Sequence, residues 1–233
     1  MHVRKFSRVL GAISVPVVTA ALYSNWILLP LFHDPAPEHN FVSELGARHV
    51  PHAAVFNSLT IVAGMLITAL ALGWRRRFAK GKEVPLHGLI AAAALLVVGV
   101  GNVIDGILPM DCSPSMSARC EIAENAWHVS WQDWGHTIES VVTNVALVAA
   151  MAFFALALER IDGLRWFGRA TIPVVVVVAI LLVAQVIGVL GHDAIAANER
   201  WTMAITSVWF ACLGLANSPL LTRRKAERAE AYV

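Results

Sequence analysis

The chain is short of charge. Only 15% of its 233 residues are Asp, Glu, Lys or Arg, and 58% are hydrophobic. Mean hydropathy is +0.65. Soluble domains carry about 25% charged residues, so a water-soluble globule is excluded. Cysteine is scarce too, at three residues. There is no CxxC pair and no HExxH, so no strong motif dictates a metal. No haem-attachment motif occurs either, although His136 and His192 are placed on separate apolar runs. Internal repeats are lacking, which argues against a secondary transporter built from matched halves. Basic residues occur in short clusters with no groove-binding motif, which excludes nucleic acid as a partner.

What the chain does have is apolar runs of about 20 residues, each long enough for a hydrocarbon core of about 30 Å. They predict an all-α membrane protein with one domain over 1–233, a six-transmembrane-helix bundle. The spans are expected near 9–32, 52–74, 87–109, 136–158, 171–192 and 201–221. The first run is too long for a signal peptide and has no clear small-x-small cleavage site after it, so it is read as a retained helix. The N-terminus, RRRFAKGK, RIDGLRWFGR and the tail RRKAER hold 15 of the 18 Lys and Arg. The positive-inside rule then makes both termini cytoplasmic, with a short tail over 222–233. Two longer extracytoplasmic loops, 33–51 and 110–135, and a short one near 193–200 face outward. The expected location is the plasma membrane, multi-pass, with lipid as the surrounding partner; protein partners and oligomeric state stay open. Trp74 and Trp166 inside, with Trp26, Trp127, Trp131, Trp134 and Trp201 outside, fit interfacial belts.

Cys112 and Cys120 share the outward loop segment DCSPSMSARC. An oxidising exterior predicts a disulfide between them. Cys212 falls inside the last span and reads as a small buried hydrophobe.

Polar residues are distributed unevenly. Outer span halves carry Tyr23, Ser24, Asn25, Asn57, Ser58, Asn102, Asp105, His136, Glu139, Thr143, Asn144, Gln185, His192, Thr202, Thr206 and Ser207, whereas inner halves are nearly bare. With its loops, the outer side holds 11 of 16 acids and 7 of 9 histidines. Unsatisfied polar groups are costly in lipid, so these should face one another or water, lining an outward-open polar cavity. Part of the acidic excess is the complement of the positive-inside bias, and Asn and Ser between helices are often packing glue. Ionisable groups inside a span are functional candidates by default, which singles out Glu139 and Asp105.

Asp133, His136 and Glu139 are spaced i, i+3 and share one face if their helix begins before Gly135. His128, eight residues before His136, would share that face as well. His136, Asp111 and His192 are the expected metal ligands, with zinc the fitting ion and one position left for water. Glu139 or Asp133 would be the general base. The expected cavity lining comprises Ser43, Glu44, Asn57, Asn102, Asp105, Asn144, Gln185 and Arg200. Arg200 is the cation expected to neutralise Glu139 or Asp105, and the plain alternative is a structural Arg–carboxylate clasp.

Four segments taken in order carry a resemblance. They are SELGARHVPHAAVFN over 43–57, GILPMD over 106–111, DWGH over 133–136 and ERWTMAITSVWF over 199–210. Together they resemble the domain-of-unknown-function 998 family of prokaryotic integral membrane proteins. The resemblance implies six spans and marks Ser43, Glu44, Asn57, Asp111, His136, Glu199 and Arg200. That family's pattern has H-x-x-H where this chain has Asp133 and His136, so a carboxylate replaces one imidazole. A looser analogy of residue types links the chain to seven-span zinc hydrolases. Two functions follow as expectations. One is a metal-assisted hydrolase of a lipid or lipid-linked substrate. The other is a non-enzymatic protein that binds or transports a lipid, small ligand or cation, or serves as an accessory subunit of a membrane complex.

Overall fold

The computed structural model describes residues 2–27, 41–80, 86–191 and 196–218, without the side chains of residues 2–10 and 12. Among these residues there are seven α-helices and no strands. The helices are α1 (His2–Tyr23), α2 (Ala53–Ala79), α3 (Leu86–Ile107), α4 (Ala118–Asn125), α5 (Trp131–Leu158), α6 (Arg165–Leu190) and α7 (Ala196–Asn217). Four of them, α2, α3, α5 and α6, are long and apolar enough to cross a membrane. In α1 the apolar stretch among residues with described side chains is Ile13–Tyr23.

The six long helices close into a ring. Contacts run α1 to α2, α2 to α3, α3 to α5, α5 to α6 and α6 to α7, and α7 returns to α1. Small residues let the backbones approach, as is usual between membrane helices. A Cβ on Gly64 would meet the Gly99 carbonyl at 2.7 Å, and one on Gly99 would meet the Gly64 carbonyl at 2.9 Å. On the outside of the ring lie large apolar side chains such as Val145, Ile180 and Ile187, each more than 60% exposed. Only 6% of the most apolar stretch of α6 is buried. Such surfaces are stable against lipid tails and not against water.

Helix starts fall earlier than hydropathy suggests. α5 begins at Trp131 because Ser130 caps it: the Ser130 hydroxyl oxygen accepts the Asp133 N–H at 3.2 Å. α6 begins at Arg165, inside the basic stretch read as a loop, and only residues 159–164 make the turn. The loop 110–135 carries α4, capped by Ser117, which accepts the Cys120 N–H at 3.4 Å. The predicted disulfide joins Cys112 to Cys120 across it.

The core lies toward the end of the ring where α2 finishes and α6 starts. Trp74, Phe78, Phe154, Trp209 and Phe210 pack there, with ring centroids 5.3–6.0 Å apart along the chain of contacts. Trp74 is fully buried, which corrects its placement in an interfacial belt. Its indole N–H donates to the Leu213 carbonyl at 3.3 Å, a partner that water would otherwise supply. Trp127, Trp131, Trp134, Trp166 and Trp201 are exposed, as belt residues should be.

Candidate functional site

The opposite end, where α3 finishes and α5 starts, gathers the polar residues. His136 is on the second turn of α5 and 8% exposed. Its Nδ1 lies 2.9 Å from Asp105 Oδ1 on the last turns of α3. That is ion-pair distance, although the ring N–H is not aligned for a hydrogen bond to that oxygen. Glu139, one turn deeper, turns toward α3. Its Oε1 accepts the Thr143 hydroxyl at 2.5 Å and lies 2.6 Å from where a Cβ on Gly101 would sit. Glycine at 101 is therefore the space that admits the Glu139–Thr143 pair. One donor atom each from Asp105, His136 and Glu139 lie within 4.8 Å of one another.

Two further helices bring groups to this level. Glu199 of α7 is within electrostatic reach of Asp105 and His136. The buried Tyr23, at the end of α1, is within reach of Glu199, Asp105 and Glu139. Thr202 and Thr206 continue the same face of α7, and both hydroxyls are buried with no partner among the described residues.

The loop acids are occupied differently. Glu44, 3% exposed, accepts the N–H groups of Phe41 and Ser115 at 3.2 and 3.0 Å and the hydroxyls of Ser113 and Ser115. It ties the short 3-10 turn Ser43–Gly46 to the disulfide loop. Glu199 Oε2 accepts the Val42 N–H at 2.6 Å, and the Ser43 backbone N–H faces the same carboxylate. Asn57 donates to the Gly46 carbonyl at 3.0 Å. The Arg48 N–H donates to the Met110 carbonyl at 3.0 Å, and its guanidinium pairs with Asp111 at 3.3 Å. The S-E-L-G-A segment is thus fastened from α2, α7 and the loop after α3.

Several expected site residues fall outside the Asp105–His136–Glu139 group. Asp111 pairs with Arg48, and its N–H donates to Asp133 Oδ1 at 2.9 Å. The other oxygen of Asp133 accepts the Ser130 hydroxyl at 2.9 Å, so this carboxylate anchors the α5 cap. His128 precedes α5 and is exposed, so it does not share the His136 face. Asn102 donates to the Val98 carbonyl of its own helix at 2.8 Å. Asn144 and Gln185 are half-buried on α5 and α6, with Gln185 Oε1 unpartnered among the described residues. The Arg200 guanidinium sits over the Trp26 ring at 5.7 Å. His192 lies outside the described residues.

Some neighbours were not foreseen. Asp105 as the specific partner of His136 needed the register between α3 and α5, which no single helix pattern contains. The anchoring role of Glu44 could have been suspected from the serines flanking Pro114, since a buried carboxylate needs several donors.

Four spanning candidates, lipid-compatible outer faces and a His–carboxylate group at one end of the ring define a multi-pass membrane protein. The chain belongs to the family described as Protein of unknown function (DUF998), whose model matches residues 14–216. No curated protein and no solved structure matches it.

Proposed function

We propose that this is a six-span membrane protein whose outer end binds a divalent cation and uses it to hydrolyse a lipid or lipid-linked substrate. The observation that carries the reading is the Asp105–His136–Glu139 group, three donors on two rigid helices within 4.8 Å. Zinc bonds of about 2.0–2.2 Å put tetrahedral donors roughly 3.3 Å apart, a gap that small rotamer changes close. One imidazole and two carboxylates are fitting zinc ligands and leave the fourth position to water. A zinc ion held by these residues would supply Lewis acidity, lowering the pKa of its bound water. The unpartnered hydroxyls of Thr202 and Thr206 support a polar ligand at this level, since each buried unmet group costs about 1–3 kcal/mol.

Six spans are supported by the ring, in which α1 and α7 take equal places with the four more apolar helices. At 22 residues each, they measure about 33 Å at 1.5 Å per residue, counting the basic first turns of α1 and Glu199 and Arg200 of α7. The basic clusters then put both termini in the cytoplasm. A single cysteine replacing Lys80 should react with a membrane-impermeant reagent only after the membrane is opened, and one replacing Arg119 should react from outside. The reverse pattern would invert the topology.

The decisive measurement for the centre is the metal content of protein purified without chelator. One zinc or similar ion per chain is expected, lost in Asp105→Asn and His136→Ala. A metal-free wild-type protein with bound lipid would favour the non-enzymatic binding reading instead.

A further inference from the structure

An open groove lies at the basic end, away from the His–carboxylate group. Between the end of α2 and the start of α3 is a cavity of about 460 Å³. That is within the range of roughly 300–1,000 Å³ usual for small-molecule sites. Its walls are apolar and small: Ala71 and Leu72 on α2 face Ala92, Ala93 and Leu96 on α3. Arg75, Arg76 and Ala79 on α2 and Leu89 on α3 complete the lining.

The three consecutive arginines do different things. Arg77 turns into the bundle, where it donates to the Ala216 carbonyl at 2.6 Å and lies 4.8 Å from the Trp74 ring centroid. It fastens α2 to α7. Arg75 and Arg76 are exposed and form no ion pair with a carboxylate among the described residues. Both line the cavity, between Ala71 and Leu72 on one side and Ala79 on the other along α2.

We propose that this groove binds one anionic phospholipid. Its headgroup phosphate is held by Arg75 and Arg76, and part of an acyl chain lies along Ala71, Leu72, Ala93 and Leu96. The assignment rests on charge and shape together. Two guanidiniums with no carboxylate partner among the described residues offer bidentate donors that match phosphate geometry. The alanines of α3 leave the depression that a saturated chain fills, where larger side chains would close it. Arginines at this depth also lie where basic side chains meet the headgroups of an anionic leaflet.

The test is native mass spectrometry of the full-length protein in detergent, titrated separately with phosphatidylglycerol, phosphatidylcholine and inorganic phosphate. One phosphatidylglycerol should bind in preference to phosphatidylcholine. Inorganic phosphate at equal concentration should not displace it, because it lacks the chain. In the Arg75→Gln/Arg76→Gln protein the preference for the anionic lipid should fall about fivefold per arginine, the usual worth of a basic side chain at such a surface. Ala93→Phe should fill the groove and remove binding of both lipids. The site is refuted by equal binding of the two lipids to the wild type, by an unchanged preference in the double variant, or by full displacement with phosphate. Ala93 is exposed, so the phenylalanine variant should fold; the double arginine variant decides the matter even if it does not. Neither variant touches Asp105, His136 or Glu139, so metal content can be read in the same samples as an independent control.

Discussion

The two ends of this helix ring are held together by different physics. At the basic end, Trp74, Phe78, Phe154, Trp209 and Phe210 interlock in an aromatic cluster. At the polar end, helices and loops are joined by hydrogen bonds and ion pairs that centre on Glu44, Asp111, Asp133 and Glu199. In lipid the first kind of contact is driven by close packing, because tails are as apolar as the side chains they replace. The second kind is directional. A rigid aromatic end can therefore act as a foundation for the polar end, and loss of packing should hurt stability more than loss of any one polar bond.

The largest effect is expected from Phe154→Ala. Phe154 has no exposed surface and contacts three aromatic neighbours. Such truncations cost about 3–5 kcal/mol, to be measured as loss of thermal stability in detergent. A cost below that of the polar-end variants would break the comparison.

Next comes the disulfide. Replacing Cys112 and Cys120 by serine opens a closure of eight residues' separation, worth about 2–3 kcal/mol on a chain-entropy argument. The effect should be local: faster proteolysis within α4 and around residues 41–50, with the aromatic end unchanged. Intact mass without reductant checks the bond itself, and two alkylatable thiols in the loop of native protein would refute it.

Gly101→Ala sharpens the comparison differently. The new methyl meets the Thr143 hydroxyl and Glu139 Oε1, so Glu139 must leave its position. Metal content should fall at least tenfold while the melting temperature moves by only a few degrees. A large stability loss with metal retained would make Glu139 a packing element rather than a ligand.

These expectations show which parts of the molecule are readable from sequence. The long helices are, because apolar runs with basic ends report where each helix lies, although caps such as Ser130 set where it starts. The polar–apolar asymmetry is too, since it needs only the order of residues along each run. Partners across helices are not. Nothing in GHTIES says that His136 meets Asp105, because that depends on how α3 and α5 are staggered. Asp133 shares the His136 face as its spacing predicted, yet it serves the cap, because Ser130 and the Asp111 N–H reach it first. Trp74 misled for a similar reason. A tryptophan next to three arginines reads as interfacial, but α2 continues past it to Ala79 and brings it under α7.

The smallest effects should come from polar side chains in the spans that carry no cross-helix duty, and three serines test this. Ser24 at the end of α1 and Ser207 on α7 share a buried hydrogen bond of 2.6 Å. Ser58, on α2, is exposed on the ring and donates at 2.7 Å to the Ala54 carbonyl of its own helix. Interhelical hydrogen bonds in membranes average about 0.6 kcal/mol in double-mutant cycles. The Ser24→Ala/Ser207→Ala cycle should give a coupling of about that size. Ser58→Ala should be neutral within about 0.5 kcal/mol, because the lost bond spans no interface and the freed carbonyl remains in its helix. If Ser58→Ala costs more than the coupled pair, Ser58 is meeting something outside this chain. The lipid-facing surface of α2 would then be an interface with another protein rather than with lipid.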